Sequence, residues 1–286
     1  MKGKVALITG ASSGIGRETA LGLARVGTGL VLVCRDKEKG EAAKEEIART
    51  TGNNSIELLI ADLLSQRQVR RVAIEFEATH PRLELLVNNA GAGFVDYSET
   101  EDGIERTMAI NYFTPFLLTN LLLETLKNSA PARVINVTSS EHYDAHLDLD
   151  NVNKDPRMGI AGADAYRRSK LAIILFTYEL ARRLQGTGVT VNCLNPGAVR
   201  TKIWSQAGAL TPLFRFMSLF MLSAEKGAQS SLYLAASPEV EGVSGKYFDK
   251  KVPKRSSETS YDEAMAKRLW VLSEQMTGLV AAPARP

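Results

Sequence analysis

A glycine-rich run between an apolar segment and a helical one is the feature that most limits how this chain can fold. Val5–Ile8 has the character of a buried strand, and a helical pattern begins near Arg17. The three glycines of residues 9–16 permit a tight turn and let a ligand approach the bare backbone. A helix that starts there points unpaired N–H groups and its positive dipole end at that ligand. We therefore predict a site for a dinucleotide pyrophosphate, with a ligand-free turn as the alternative.

Short apolar runs rich in β-branched residues recur along the chain, each followed by a helix-length segment. They are Val5–Ile8, Leu30–Val33, Ile56–Ile60, Leu83–Val87, Val134–Val137 and Val189–Leu194. This alternation indicates parallel strands joined by helices that cover both faces of a sheet. Right-handed crossovers then give an α/β, Rossmann-type, doubly wound parallel sheet with ligands at the carboxyl ends of its strands. Because no repeat or linker interrupts the pattern, we predict a single domain over residues 1–286.

The charge distribution excludes one class of partner. The chain carries 35 Lys and Arg against 32 Asp and Glu, and its basic pairs are scattered along predicted helices. Nucleic-acid binding needs a clustered basic surface, so we expect no nucleic-acid partner. The basic group within residues 250–255 is expected to be a solvated loop, with an anionic membrane surface as the alternative.

The sequence also predicts where the protein is found. It contains no apolar run of about eighteen residues and no signal-like start, so we expect no spanning segment or signal peptide. Cys34 and Cys193 fall inside predicted strands, where they are expected to be core thiols and not a disulfide. We therefore expect a cytoplasmic protein, with a location at the membrane periphery as the alternative.

Three segments depart from the regular alternation. Residues 140–165 are polar and are expected to form an ordered excursion beside the site. Residues 202–224 are rich in large apolar side chains, which indicates either a helix packed on the core or a lid over an apolar substrate. Residues 258–286 are expected to form a C-terminal helical tail.

A tyrosine and a lysine have the spacing of neighbours on one helical face. Tyr166 and Lys170 are four residues apart in a predicted helix, so the ammonium would lie near the phenol. A nearby cation stabilises the phenolate and would lower the tyrosine pKa from about 10 toward neutrality. Such a phenol can act as a general acid for a carbonyl or a base for an alcohol. The pair alone is common on solvated helices, so further features must support it.

Hydroxyl and amide side chains follow two of the predicted strands. Ser139 ends the strand that begins at Val134, and Asn88–Gly91 ends the strand before it. Both lie at the sheet edge where ligands are expected. Asn111 occupies a long helical segment, and Pro115 lacks the N–H that would bond to the Asn111 carbonyl. We expect that carbonyl to hold a water molecule, with a simple helix kink as the alternative.

Together these motifs resemble the short-chain dehydrogenase/reductase family over residues 3–249. They are Thr9–Gly16, Asn88–Gly91, Asn111, Ser139, Tyr166 with Lys170, and Pro196–Thr201. The resemblance implies that Tyr166 transfers the proton and that Ser139 positions the substrate oxygen. It further implies that Lys170 holds the nicotinamide ribose and lowers the Tyr166 pKa, while Asn111 carries a water relay. Hydride transfer then belongs to the nicotinamide.

Further segments resemble the retinol dehydrogenase branch of that family. They are residues 111–119, 169–172, 175–181, 186–189 and 244–248, with the long interval between Ser139 and Tyr166. The resemblance implies a carbonyl–alcohol oxidoreductase acting on a lipophilic small molecule such as retinal or retinol, or on another lipophilic carbonyl. The alternatives are a reductase of a tetrapyrrole double bond and a non-catalytic NADP-binding regulator on the same fold.

The end of the second strand predicts which dinucleotide is bound. An NAD site places a carboxylate there for the ribose 2′-OH, whereas NADP needs a cation for its 2′-phosphate. The strand ends in Cys34 and Arg35, with Arg17 as a second cation near the glycine run. Asp36 is expected to cap the next helix. We therefore predict NADP(H), and expect Asp62 to accept from the adenine amine or to cap a helix.

The predicted cofactor contacts combine the glycine run with the positions that the family resemblance supplies. They are Gly10, Ser12, Ser13, Gly14, Ile15, Gly16, Arg35, Asp62, Leu63, Asn89, Ala90, Gly91, Tyr166, Lys170, Pro196, Gly197, Val199 and Thr201. The three histidines, at 80, 142 and 146, lack a metal-site pattern and are expected to lie in loops, with substrate contact as an alternative. The apolar segments 113–126 and 171–184 are expected to be either core or the interface of a homo-oligomer.

Overall fold

The computed structural model describes residues 1–199 and 222–279, whose strands form one sheet. In chain order the strands are β1 Val5–Thr9, β2 Gly29–Cys34, β3 Ile56–Ile60, β4 Leu85–Asn88, β5 Ala132–Val137, β6 Val189–Asn195, β7 Lys246–Asp249 and β8 Val252–Lys254. Their spatial order is β3-β2-β1-β4-β5-β6-β7-β8. Every neighbouring pair is parallel except β7 and β8. The strand order reverses between β1 and β4, which opens a crevice at their carboxyl ends.

Helices connect the strands and pack on the sheet. They are α1 Gly14–Arg25, α2 Lys37–Thr51, α3 Gln66–Thr79, α4 Arg106–Met108, α5 Thr114–Leu121, α6 Leu123–Asn128, α7 Ala163–Arg183, α8 Ala224–Ala236 and α9 Glu263–Met276. A π-helical turn, Ala109–Phe113, joins α4 to α5. Short 3-10 helices occupy Ser140–Asp144, Leu149–Asn151, Ile160–Gly162, Pro238–Val240 and Glu258–Tyr261.

The core has two layers because side chains alternate across the sheet. In β1, Leu7 belongs to a cluster with α3, α5, α7 and α9, whereas Ala6 and Ile8 belong to a cluster with α1, α2 and α8. Burial on both faces explains why the parallel strands read as continuous apolar runs. The predicted doubly wound α/β fold is confirmed, and all six predicted strands are present. The additional strands β7 and β8 were not predicted.

The C-terminal helix α9 covers the apolar face of α5 and α7. Trp270 packs with ring centroids 5.1 Å from Phe116 and 5.7 Å from Phe176, and the Arg183 guanidinium lies 4.0 Å from the Trp270 ring centroid. These contacts favour the core interpretation of segments 113–126 and 171–184. A homo-oligomer stays a prediction.

Two further expectations concern the core and the membrane. Cys34 and Cys193 are buried free thiols, as predicted. Within residues 1–199 and 222–279, no helix combines the length and apolar character required to cross a bilayer. Most of the expected lid, residues 202–221, and the end of the expected tail, residues 280–286, lie outside the described residues.

Candidate active site

The glycine run forms a tight loop between β1 and α1, and its three glycines stand at positions that suit no larger residue. Gly10 and Gly14 adopt φ angles of +69° and +59°, the left-handed region that other residues rarely occupy. A Cβ at Gly16 would lie 2.4 Å from Asn89 Nδ2 and 2.5 Å from the Gly10 carbonyl oxygen. The loop therefore brings bare backbone to the edge of the crevice, as the sequence predicts.

The first turn of α1 keeps its N–H groups available. Ser13 is the N-cap residue, but its side chain accepts no capping hydrogen bond, and the first turn has no acidic residue. By contrast, Asp36 caps α2 and Ser65 caps α3 through their side chains. An uncapped helix start beside a glycine loop is suited to an anion such as a pyrophosphate.

Asn89 braces the glycine loop from the end of β4. Its side-chain Nδ2 donates to the carbonyl oxygens of Thr9 at 2.9 Å and Gly10 at 3.3 Å. The Thr9 hydroxyl in turn accepts from the backbone N–H groups of Asn89 and Ala90, each at 3.0 Å. The predicted cofactor residues Asn89 and Ala90 thus hold the loop in shape through interactions within the protein.

The loop after β6 reaches the same helix start. Val199 is buried against Ile15 and Ala228, which places the predicted segment after β6 beside α1. Gly197 has a φ of +83°, and its N–H donates to the side chain of Asn195 at 3.1 Å. Pro196 lies in the same turn. Thr201 falls outside the described residues.

Tyr166 and Ser139 meet at the end of β5. Tyr166 lies in the first turns of α7, and the Ser139 side chain is close enough to its hydroxyl to lower its pKa. Ser139 precedes the 3-10 helix Ser140–Asp144, and its Oγ accepts from the Glu141 N–H at 3.3 Å. The two hydroxyls therefore form one polar pair, although their residues are far apart in the sequence.

Burial controls the acidity of this pair. Tyr166 is only 7% exposed, and desolvation raises its pKa, an effect that the hydrogen bond from Ser139 opposes and the charge of Glu141 reinforces. The Tyr166 pKa is therefore raised and does not fall toward neutrality as the spacing predicts, because desolvation is the largest effect. The expected effect of Lys170 on this pKa stays a prediction.

Lys170 is itself buried beneath the site. Its Nζ lies 5.3 Å from the Tyr166 ring centroid and donates to the Val137 carbonyl oxygen at 3.1 Å. Burial lowers the pKa of Lys170 to about 8, because desolvation disfavours the ammonium form. The Thr138 hydroxyl donates to the Lys170 carbonyl oxygen at 2.9 Å, which ties the end of β5 to α7.

Asn111 lies in the π-helical turn before α5, and not in the continuous helix that the sequence predicts. Its side chain accepts from the Ala92 N–H at 3.0 Å and donates to the Ala92 carbonyl oxygen at 2.8 Å. It also donates to Ser169 Oγ at 3.0 Å, and Ser169 donates to the Tyr166 carbonyl oxygen at 2.7 Å. Pro115 follows in the first turn of α5. Asn111 thus joins the loop after β4 to the helix that carries Tyr166.

Gly91 allows these side chains to approach one another. A Cβ at Gly91 would lie 2.8 Å from Asn111 Oδ1 and 3.6 Å from Lys170 Nζ. The predicted set Asn111, Ser139, Tyr166 and Lys170 is therefore gathered around the carboxyl ends of β4 and β5.

The end of β2 carries one exposed cation. Cys34 is buried, its thiol is hydrogen-bonded to the Ser12 side chain, and burial raises its pKa to about 11, so it is uncharged at neutral pH. Arg35 follows with an exposed side chain. Asp36 caps α2, as predicted, by accepting from the Lys39 N–H at 3.1 Å. Arg17 forms ion pairs with Glu18 at 2.8 Å and Glu46 at 3.1 Å, and its assignment as a second cation stays a prediction.

Asp62 and Leu63 follow the carboxyl end of β3, at the same edge of the sheet as the other predicted site residues. Asp62 Oδ1 accepts from the Leu64 N–H at 3.1 Å, whereas Ser65 provides the cap of α3. The helix-cap alternative for Asp62 is therefore wrong. Leu63 is buried, and its carbonyl oxygen accepts from the Thr114 hydroxyl at 2.5 Å.

Sequence reasoning missed two buried groups next to this site. His142 is fully buried in the 3-10 helix after Ser139 and is not a loop residue in contact with solvent. Arg168 lies on α7 between Tyr166 and Lys170, and its guanidinium donates to the Asp155 carbonyl oxygen at 3.2 Å. Their nearness to predicted site residues was the available signal. Among the described residues, no cluster of three or more His, Cys, Asp or Glu side chains is placed to hold a metal.

Comparison with known proteins agrees with this geometry. The family model described as short chain dehydrogenase matches residues 4–147 and 153–210. Human retinol dehydrogenase 13 is 44% identical over 289 aligned positions, which cover 99% of this chain and 87% of that protein. An uncharacterised protein of Mycobacterium paratuberculosis is 32% identical with a TM-score of 0.77, over 97% of this chain and 94% of that one.

A solved relative also carries a nucleotide. A short chain dehydrogenase of Shigella flexneri, crystallised with NADP, is 27% identical with a TM-score of 0.70. The match covers 88% of this chain and 98% of that one. Family and structural relatives together support an oxidoreductase with a nicotinamide cofactor. This chain belongs to the short-chain dehydrogenase family and, within it, is similar to the retinol dehydrogenases.

Proposed function

We propose that the protein is an NADP(H)-dependent oxidoreductase that interconverts a carbonyl and an alcohol on a lipophilic small molecule, with retinal and retinol as the first candidates. The observation that carries this proposal is the buried hydroxyl pair of Tyr166 and Ser139, with Lys170 beside it. Similarity to retinol dehydrogenases supports the substrate class.

The residues at the crevice fit a nicotinamide dinucleotide. The tight glycine loop and the uncapped start of α1 would hold the pyrophosphate. Asp62, next to β3, would accept from the adenine amine, and Lys170 Nζ would bond the nicotinamide ribose. When bound, the nicotinamide supplies or receives the hydride.

The side chains of the protein would handle the proton. A raised pKa keeps the Tyr166 phenol protonated at neutral pH, which is the form that can donate a proton to a carbonyl oxygen. The Ser139 hydroxyl, which lies beside the Tyr166 phenol, would orient the same oxygen. Asn111 fixes the backbone around Tyr166 through Ser169. In the reverse reaction, alcohol oxidation, the same oxygen would have to act as a base in its phenolate form.

The preference for NADP(H) rests on the cation at the end of β2. Arg35 is exposed at the position that would face a 2′-phosphate, and Cys34 before it is uncharged. Position 34 holds a cysteine in place of the carboxylate that would accept from a ribose 2′-OH. The relative crystallised with NADP is consistent with this choice.

Consumption of NADPH over a panel of aldehydes and ketones of graded chain length, including all-trans-retinal, tests the proposal. We expect turnover that increases with chain length. Tyr166→Phe should lower kcat by about 10²- to 10⁴-fold, the usual contribution of a general acid, while NADPH still binds. Tyr233→Phe is the matched control, because it removes a phenol hydroxyl bonded to Glu239 far from the crevice. Near-normal turnover by Tyr166→Phe would refute the mechanism.

The same panel separates the alternatives. A regulator that only binds NADPH would oxidise none of it in the presence of any carbonyl. A tetrapyrrole reductase would be inactive on the carbonyls in the dark.

A further inference from the structure

His142 makes two hydrogen bonds whose partners define its protonation state. Its Nδ1 lies 2.6 Å from the Ser139 carbonyl oxygen, which can only accept, so Nδ1 carries the proton. Its Nε2 lies 3.2 Å from the Ser257 N–H, which can only donate, so Nε2 is unprotonated. The imidazole is therefore neutral and is held in one tautomer from both sides.

The surroundings of the ring preserve this state. The His142 side chain has no exposed area, and its ring packs against Tyr143 and Tyr247 with centroids 4.1 and 4.9 Å away. Burial lowers the pKa of His142, which acts in the same direction as the hydrogen-bond geometry. A histidine that only filled space at this point would need neither partner.

Ser257 belongs to a segment that is anchored on the helix of Tyr166. The neighbouring Ser256 hydroxyl is 2.7 Å from the Tyr178 hydroxyl of α7 and 2.6 Å from the Ser260 hydroxyl. All three of these side chains are buried. The segment 256–260 thus provides a fixed point for the imidazole, although it lies 115 residues from His142 in the sequence.

These contacts close a ring around the reacting hydroxyls. The path runs from the Ser139 backbone through His142 to Ser257 and the adjacent Ser256. It continues through Tyr178 back to α7, whose Tyr166 lies beside the Ser139 side chain. Movement of the Ser139 backbone would require the imidazole to break one of its two bonds inside the core. An unmade buried hydrogen bond is costly, so the ring resists that movement.

We infer that His142 is a positioning residue, which holds the Ser139 backbone through a neutral imidazole tied to Ser257 and so sets the Ser139–Tyr166 hydroxyl pair. This inference rests on the proposed carbonyl–alcohol activity and adds a residue to it. His142 touches no reacting atom in this account. Its effect is on the geometry of the serine, and displacements of about 1 Å in such groups can cost about 100-fold in rate.

Two substitutions separate the two bonds of the imidazole. His142→Asn keeps a donor near the Nδ1 position, whereas His142→Gln keeps an acceptor near the Nε2 position and loses the donor to Ser139. We expect His142→Gln to lower kcat by about 10- to 100-fold, and His142→Asn to retain most of the wild-type kcat. The Kd for NADPH should be the same in both, because the glycine loop and Arg35 are untouched.

Tyr143→Phe is the matched control for both variants. Tyr143 lies on the same 3-10 helix, and its hydroxyl donates to the Arg255 carbonyl oxygen at 2.6 Å. It therefore makes a similar hydrogen bond to the residue just before segment 256–260. We expect it to keep the wild-type kcat. A purely structural role for His142 would lower the Tm of both variants without ranking their kcat values.

The outcome is read by steady-state kinetics at saturating NADPH and by ¹⁵N NMR of histidine-labelled protein near pH 7. A kcat for His142→Gln within about twofold of wild type, or equal kcat values for the Asn and Gln variants, would overturn the inference. So would a proton on Nε2 of His142 in the wild-type protein, a readout that needs neither a variant nor activity. A wild type that reduces no carbonyl of the panel would refute the proposed function, whereas the tautomer would still be measurable.

Discussion

Replacement of Arg35 tests which cation selects the 2′-phosphate of NADPH. Arg35 is exposed after β2, behind an uncharged Cys34. Arg17 lies close to the same glycine loop, but its guanidinium is 2.8 Å from Glu18 and 3.1 Å from Glu46. Two carboxylates already surround Arg17, so a phosphate approaching it would meet net negative charge. Arg35 is therefore the cation that we expect to carry the selectivity.

The expected magnitude follows from the kind of bond that is lost. A hydrogen bond to a charged group contributes about 1.5–3 kcal/mol, and each 1.4 kcal/mol changes an equilibrium constant about tenfold. Arg35→Gln should therefore raise the Kd for NADPH by about 10- to 100-fold. The Kd for NADH should hardly change, because NADH lacks the phosphate. Arg17→Gln is the matched control and should alter the Kd for NADPH by less than about threefold, as expected for an exposed ion pair.

Titration of the protein with NADPH or NADH, followed by nicotinamide fluorescence, measures these constants. The ionic strength must be fixed across the series, because salt screens exposed charges. Equal weakening of NADPH and NADH by Arg35→Gln would refute the phosphate assignment. A loss of NADPH affinity in Arg17→Gln as large as in Arg35→Gln would show that the glutamates do not occupy Arg17.

Two further predictions concern stability. Gly16→Ala puts a Cβ 2.4 Å from Asn89 Nδ2 and should lower the free energy of unfolding in urea by about 1–3 kcal/mol. Gly29→Ala is the control, because its Cβ would meet only atoms at 3.6 Å or more, and its free energy of unfolding should match that of the wild type. Burial lowers the pKa of Lys170 from 10.5 to about 8, so the unfolded chain binds this proton more tightly and wild-type stability should rise between those pH values. Lys170→Met should abolish turnover yet raise the Tm at neutral pH, and its Tm advantage over the wild type should shrink as the pH rises. Calorimetry that finds the same Tm difference near pH 7.5 and near pH 10 would contradict this reasoning.

The sheet was predictable because its strands are long apolar runs buried on both faces. Each of the six predicted strands ends within two residues of the observed one. The two missed strands have different properties. β7 has only four residues and is bounded by Lys246 and Asp249, while every residue of the three-residue β8 is exposed. β7 forms on the edge of β6, and β8 forms on the edge of β7, so both depend on the assembled sheet and not on the local sequence alone.

Within the site, local spacing predicted some relations and missed others. Tyr166 and Lys170 share a helix, and Ser139 ends a strand, so sheet topology alone brings them together. The bond between His142 and Ser257 joins residues 115 apart, on elements that the sequence did not predict to be neighbours. Ser139 is near His142 in the sequence, but nothing there marks Ser257 as the second partner, so a surface loop was the simpler expectation.

The pKa of Tyr166 is a second property that local spacing in the sequence did not predict. Helical spacing correctly placed a cation close to the phenol, with 5.3 Å between Lys170 Nζ and the ring centroid. Spacing could not reveal that the ammonium is bound to Val137 and is itself desolvated, with a pKa of about 8. Burial disfavours the charged form of both groups, so the phenol keeps its proton at neutral pH. The protonation state of Tyr166 is therefore set by this burial, to which β5, α7 and the segment after Ser139 all contribute.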